Sequence, residues 1–83
     1  MKIKVKLFAV LREKIGTSVV IMDIPEFSTV SDVVNELKCK YPMLDPFVDH
    51  VMFAVNTEYV QDTYQIKDSD EVALIPPVSG GGL

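Results

Sequence analysis

The chain has 83 residues, of which 48% are hydrophobic and 24% are charged, and its formal net charge is −4. This length indicates a single domain, and the negative charge disfavours nucleic-acid binding, which usually requires a basic patch. The single cysteine, Cys39, excludes an internal disulfide, and the lack of a long apolar run or a signal peptide predicts a cytoplasmic protein.

A first strand is predicted over residues 2–9, because charged and aliphatic residues alternate there. The two faces of this strand carry Lys2, Lys4 and Lys6 on one side and Ile3, Val5 and Leu7 on the other. Phe8 breaks the alternation by falling on the lysine face. We interpret the lysine face as solvated, or as protecting the edge of a sheet.

A short helical turn is predicted over residues 10–15, and Gly16 is expected to end it in a left-handed conformation. Residues 18–24 then predict a second strand. The connection between the two strands is short, which favours antiparallel pairing.

The clearest helix is predicted over residues 29–41. Its apolar residues follow helical spacing and form one stripe: Val30, Val33, Val34, Leu37 and Tyr41. Thr29 is expected to be the N-cap, with the charge of Asp32 near the positive end of the helix dipole. Pro42 ends the helix.

The second half of the chain predicts a loop or short helical turn and then three strands. The loop spans residues 43–50, and the strands span 51–55, 59–60 and 71–75, with turns at 56–58 and 67–70. One helix must cover one face of a mixed sheet in this arrangement. The element order is that of a β-grasp fold, an α+β class, in a single domain over residues 1–83.

The C-terminal sequence is unusual, because three of the four glycines are Gly80, Gly81 and Gly82. They follow Pro76 and Pro77, which end strand pairing because proline lacks a backbone donor. Residues 77–83 therefore predict a flexible tail. A tail without side chains can enter a narrow channel in another protein, although a Gly-rich terminus can also be simply disordered.

Three stretches of the chain carry a resemblance to a known family. They are Leu7-Phe8-Ala9 with Arg12-Glu13 and Gly16-Thr17, then Ala54-Val55-Asn56, then Asp70-Glu71-Val72-Ala73 leading into Pro76-Pro77-Val78-Ser79-Gly80-Gly81. Over essentially its whole length, the sequence resembles the small subunit of molybdopterin synthase, one of the ubiquitin-like sulfur carriers.

The resemblance implies a protein that is not itself an enzyme. A ubiquitin-activating-like partner would use ATP to adenylate the C-terminal glycine, and sulfur would replace AMP to give a thiocarboxylate. The large synthase subunit would supply the catalytic side chains, and there the tail would deliver sulfur to cyclic pyranopterin phosphate. The implied assembly is a heterotetramer in molybdenum cofactor biosynthesis. No cofactor, metal, nucleic acid or membrane is expected to bind the chain itself.

The resemblance assigns the reactive group to the tail. Alignment of its last stretch makes Gly81 the first choice for the activated residue and Gly82 the second, with Gly80 beside them. The family normally ends at Gly-Gly, whereas this chain continues through Gly82 to Leu83. Trimming of a precursor, partners that accept a longer tail, and residues of foreign origin all remain open explanations.

The resemblance also implies a partner-binding surface formed by Phe8, Tyr59 and Ile75, together with the stem of the tail. That stem is Pro76, Pro77 and Val78. Phe8 and Ile75 both interrupt the alternation of their strands toward the face opposite the core, which supports an apolar patch there.

The remaining reactive residues favour structural interpretations. His50 lacks partners at metal-ligand spacing, and Cys39 lies off the apolar stripe of the helix with only Lys38 and Lys40 to activate it. The acidic group formed by Asp68, Asp70 and Glu71 is interpreted as a solvated turn.

Three other functions are consistent with the sequence. The first is a sulfur carrier for thiamine synthesis or tRNA thiolation, and the second is a ubiquitin-like modifier that is conjugated to lysines. The third is a passive β-grasp module, for which substitution of Gly81 would have no consequence.

Overall fold

The computed structural model describes residues 1–77, which contain five strands, two α-helices and one 3₁₀-helix. The strands are β1 (Lys2–Leu7), β2 (Val19–Asp23), β3 (Met52–Val55), β4 (Glu58–Val60) and β5 (Glu71–Ile75). The helices are α1 (Ala9–Ile15) and α2 (Val30–Lys40), and the 3₁₀-helix is Pro42–Phe47.

The strands form one mixed sheet in the order β2-β1-β5-β3-β4. β1 pairs antiparallel with β2 and parallel with β5, while β3 pairs antiparallel with both β5 and β4. Because β5 returns to lie beside β1, β1 has a strand on each side. The interpretation of its lysine face as protection for an edge strand is therefore wrong.

The core lies between one face of this sheet and the helices. Val5, Leu7, Val72 and Leu74 are at most 1% exposed, as expected if this side of β1 and β5 faces α2. From α2, the buried side chains are Val30, Val33, Val34 and Leu37. Burying an aliphatic side chain of this size stabilises the fold by about 1.5–3 kcal/mol, so the apolar stripe of α2 fixes the helix on the sheet.

The N-terminus of α2 is capped as predicted. The Thr29 hydroxyl accepts a hydrogen bond from the Asp32 backbone N–H at 3.3 Å, and the Asp32 carboxylate accepts one from the Thr29 N–H at 2.9 Å. This reciprocal pair is a capping box. The helix ends at Lys40, because Pro42 cannot continue the hydrogen-bonding pattern.

The first strand is shorter than predicted. It ends at Leu7, because Ala9 has φ 51° and begins α1. A left-handed residue at this point breaks the extended backbone that strand pairing requires. Gly16 ends α1 with φ 88° and donates its N–H to the Arg12 carbonyl at 2.8 Å, which confirms the predicted glycine cap.

The turn before β5 is not the solvated acidic turn that the sequence indicated. Asp70 is only 8% exposed, and its carboxylate accepts hydrogen bonds from the Lys67 N–H at 2.8 Å and the Asn56 side-chain amide at 2.9 Å. Asp68 remains exposed and accepts a hydrogen bond from the Lys2 N–H at 3.0 Å. Asp70 is therefore a structural residue that holds this turn against the sheet.

Candidate functional site

The face of the sheet opposite α2 is the open face, and it presents the second set of alternating side chains from each strand. In the register, Ile75 of β5 lies beside Met52 of β3, and Ala54 of β3 lies beside Tyr59 of β4. Phe8 follows directly after β1 at the end of the sheet where β5 also finishes.

Phe8, Tyr59 and Ile75 line one shallow depression of about 210 Å³ on this face, and the charged residues Lys6 and Glu71 are also part of its lining. Phe8 is 39% exposed and Tyr59 is 67% exposed, whereas Ile75 is half-buried. The three residues come from separate parts of the sequence, and the fold brings them together. An apolar depression with exposed aromatic side chains is the kind of surface that binds another protein.

Local backbone geometry positions two of these side chains. Tyr59 follows a tight turn in which Asn56 and Thr57 both have positive φ, 50° and 74°, as the two-residue turn between antiparallel strands requires. Phe8 has extended backbone angles and occupies the N-cap position of α1. Its side chain therefore stays at the rim of the sheet while Leu11 of α1 is buried in the core.

Two further apolar residues are exposed on the open face and were not predicted from the sequence. Met52 is 51% exposed and lies beside Ile75, and Ile21 of β2 is 54% exposed. Alternation with buried Val20 and Met22 could have identified Ile21 from the sequence. The position of Met52 depends on the pairing of β3 with β5, which alternation alone does not give.

The stem of the tail leaves the sheet beside a different depression. Pro76 is half-buried and Pro77 is exposed. Both line a hollow of about 340 Å³ with Val10, Phe47 and His50 among its other residues. Val78, Gly80, Gly81 and Gly82, which the sequence assigned to partner binding and to the reactive terminus, lie outside the described residues.

The other reactive side chains are not gathered into a site. Cys39 and His50 are both exposed. Within residues 1–77, no group of three His, Cys, Asp or Glu side chains is arranged to hold a metal ion. Over the same residues, neither α-helix has the length and apolar character needed to cross a membrane.

A comparison of the sequence with models of protein families identifies the family of this chain. The model of the ThiS family matches residues 5–81, which include the second half of β1 and all of the other strands and helices described above. The chain belongs to the ThiS family. The matched span extends through Gly80 and Gly81 and stops before Gly82.

Members of this family with curated names give the same indication as the sequence motifs. The molybdopterin synthase sulfur carrier subunit of Arabidopsis thaliana is 40% identical over 80 residues, covering 96% of this chain and 83% of the relative. That of Chlamydomonas reinhardtii is 40% identical over 83 residues, covering 98% of this chain and 100% of the relative. The resemblance found in the sequence is confirmed.

Solved structures confirm the ubiquitin-like β-grasp fold. The crystal structure of small archaeal modifier protein 1 from Haloferax volcanii superposes with a TM-score of 0.89 at 34% identity, covering 98% of this chain and 100% of that one. The prediction of a mixed sheet covered by one main helix is therefore correct.

Proposed function

We propose that this protein is the small subunit of molybdopterin synthase, a sulfur carrier in molybdenum cofactor synthesis. The observation that carries the proposal is the 40% identity to molybdopterin synthase sulfur carrier subunits over nearly the whole chain. In this role the chain is not itself an enzyme, and the catalytic side chains belong to its large-subunit partner.

The proposed chemistry takes place at the C-terminal carboxylate of a glycine, with Gly81 the first choice. An activating enzyme joins this carboxylate to the α-phosphate of ATP and releases pyrophosphate, giving an acyl adenylate. Hydrosulfide then attacks the acyl carbon and AMP leaves, which yields the thiocarboxylate. No side chain of the carrier forms or breaks a bond in these steps, so the carrier needs no catalytic cluster of its own.

The depression lined by Phe8, Tyr59 and Ile75 is the proposed docking surface for the large subunit. These side chains are at or near the end of the sheet from which the chain continues through Pro76 and Pro77 to the tail. A partner bound there would hold the start of the tail in a fixed place. Each aromatic or aliphatic side chain buried on docking would contribute about 1.5–3 kcal/mol before the costs of association.

The decisive test is intact-mass spectrometry of the protein taken from its native cells. A thiol-reactive label is added first, because exchange of oxygen for sulfur nearly matches methionine oxidation in mass and the chain has four methionines. Fragmentation then locates the label. A labelled terminal glycine supports the carrier function and identifies the activated residue. An unlabelled terminus in cells that are making the cofactor would overturn it.

A second candidate function is protein modification. It is favoured by the 34% identity and 0.89 TM-score to small archaeal modifier protein 1. This function requires the same activated terminus but predicts isopeptide bonds between it and lysines of other proteins. Proteolytic mapping of conjugates in native cells separates the two, because a carrier alone leaves no branched peptides.

A further inference from the structure

The open face continues beyond the depression, across β1 to β2. Lys6 lines the depression together with Phe8. Two residues earlier in the same strand, Lys4 lies in register between Ile21 of β2 and Glu71 of β5. The apolar depression and the lysines of β1 are therefore neighbouring parts of one surface.

Ile21 gives this second part of the surface an apolar centre. Its side chain is 54% exposed, whereas its neighbours Val20 and Met22 are 6% and 4% exposed. It lies on the same face as Lys4, so the exposed aliphatic surface is bordered by an ammonium group. Exposed apolar surface rimmed by charged groups is characteristic of an interface with another protein.

The three lysines of β1 differ in whether they form an ion pair. Lys2 lies 3.8 Å from the Asp23 carboxylate, whereas neither Lys4 nor Lys6 forms an ion pair with any carboxylate among residues 1–77. Glu71 is beside Lys4 in the register without forming such a pair. Glu71 also lines the depression with Lys6, so the two lysines leave a local excess of positive charge on this face. On a chain with a net charge of −4, that local excess favours a partner surface that supplies carboxylates.

We propose that the partner-binding face has two parts, the depression and an adjoining cationic strip formed by Lys4, Lys6 and Ile21. The large subunit covers the strip with a surface whose carboxylates pair with the two lysines around an apolar contact to Ile21. This inference rests on the proposed function, because it assigns the strip to the same partner.

The strip would determine the orientation of the complex. An apolar depression alone tolerates rotation of the partner about the axis through it, because apolar contacts are not directional. Charges that lie to one side of the depression favour a single orientation of the partner. That orientation fixes the direction in which the tail enters the partner. Complementary charges across an interface act mainly on specificity and on the rate of association.

Isothermal titration of the full chain with the large subunit encoded in the same genome tests the strip, at low and at high ionic strength. The variants are the double substitution Lys4→Glu with Lys6→Glu and the single substitution Ile21→Ser. Their matched controls are Lys67→Glu, an exposed lysine in the turn before β5, and Met43→Ser, which is 50% exposed on the 3₁₀-helix. Circular dichroism verifies the fold of each.

We expect the double charge reversal to raise Kd by about tenfold or more at low ionic strength and by less at high ionic strength. Ile21→Ser should raise Kd about tenfold, which corresponds to about 1.4 kcal/mol. Both controls should bind as the wild type does. The double substitution Lys4→Gln with Lys6→Gln removes the two charges without reversing them, and it should reduce the dependence of Kd on salt. This variant replaces the charge reversal in the test if the charge reversal unfolds the protein.

Two negative results are distinguishable. If the wild type binds and the strip variants bind as tightly as their controls, the strip is not part of the interface, and the proposed function stands. If the wild type itself fails to bind the large subunit, the proposed function fails and the strip loses its assigned partner.

Discussion

The side-chain amide of Asn56 donates a hydrogen bond to the buried Asp70 carboxylate at 2.9 Å, across 14 residues of sequence. Asn56 also forms two hydrogen bonds with the backbone of Glu71. Its side-chain oxygen accepts one from the Glu71 N–H at 3.0 Å, and its own N–H donates one to the Glu71 carbonyl at 2.9 Å. This network joins the turn after β3 to the start of β5. The same turn leads into the strand that carries Tyr59, so the network supports one side of the candidate site.

The first prediction concerns this network. Asp70→Ala removes the charged acceptor of two part-buried hydrogen bonds, from the Lys67 N–H and the Asn56 amide. We therefore expect the free energy of unfolding to fall by about 1.5–3 kcal/mol. Asn56→Gly should also destabilise, although glycine tolerates the positive φ of 50°. Urea unfolding measures both.

Asp68→Ala is the matched control for Asp70→Ala. Asp68 is exposed and accepts a single backbone hydrogen bond, so its removal should cost well under half as much. A double-mutant cycle between positions 56 and 70 should give a coupling free energy of about 0.5–3 kcal/mol. Additive effects would show that the two side chains do not stabilise each other.

Local patterns were sufficient to predict most of the fold. The helical spacing from Val30 to Leu37, the Thr29–Asp32 cap and the Gly16 cap each depend on residues within a few positions of one another, and each was predicted from the sequence. Strand alternation likewise placed Val72 and Leu74 in the core.

The predictions that failed depend on contacts between distant parts of the chain. β1 is not an edge strand because β5, from the other end of the chain, pairs with it. That Asp70 is buried follows only once Asn56 reaches it. For the same reason, the grouping of Phe8, Tyr59 and Ile75 came from the family resemblance, and the neighbouring Met52 was missed because its place depends on the register with β5.

The second prediction concerns Phe27, in the loop between β2 and α2. Phe27 has φ 68° and is 73% exposed, so it holds a left-handed backbone conformation while burying little of its ring. Such a conformation costs a bulky L-residue about 1–2 kcal/mol, and asparagine adopts it more readily. We expect Phe27→Asn to raise the free energy of unfolding by about 0.5–1 kcal/mol.

Phe27→Leu tests the cause of that gain. Leucine keeps the backbone strain and changes only the side chain, so it should give no stabilisation. Chemical denaturation compares the two variants. A loss of stability in Phe27→Asn would mean that contacts of the ring with its loop outweigh the strain.

The third prediction tests the depression on the open face. Tyr59→Ala should raise the Kd for the large subunit by about tenfold or more, because an aromatic side chain near the centre of an interface is often a major contributor to binding. Its fold should be preserved, since Tyr59 is 67% exposed in the free protein.

Phe27→Asn is the matched control for Tyr59→Ala. Phe27 is 73% exposed and lies in the β2–α2 loop, away from the depression, so its replacement should leave Kd unchanged. Equal weakening by both substitutions would exclude a specific role for the depression. Surface plasmon resonance with the large subunit immobilised gives both constants and shows whether the change lies in dissociation.

The last prediction concerns which C-terminal residue presents the carboxylate that is activated. Each residue lengthens an extended chain by about 3.3–3.6 Å, whereas an error of about 1 Å in the position of a reacting group can cost roughly a hundredfold in rate. A chain that ends at Gly81 and one that ends at Leu83 therefore present their carboxylates too far apart for one active site to use both equally.

With the activating enzyme and ATP, the chain ending at Gly81 should release pyrophosphate rapidly, and the chain ending at Leu83 should not. Gly81→Ala in the shortened chain should slow the reaction, because its Cβ restricts the backbone next to the carboxylate that attacks ATP. If the full-length chain reacts fastest instead, the activating enzyme reads the longer tail and the reactive carboxylate belongs to Leu83.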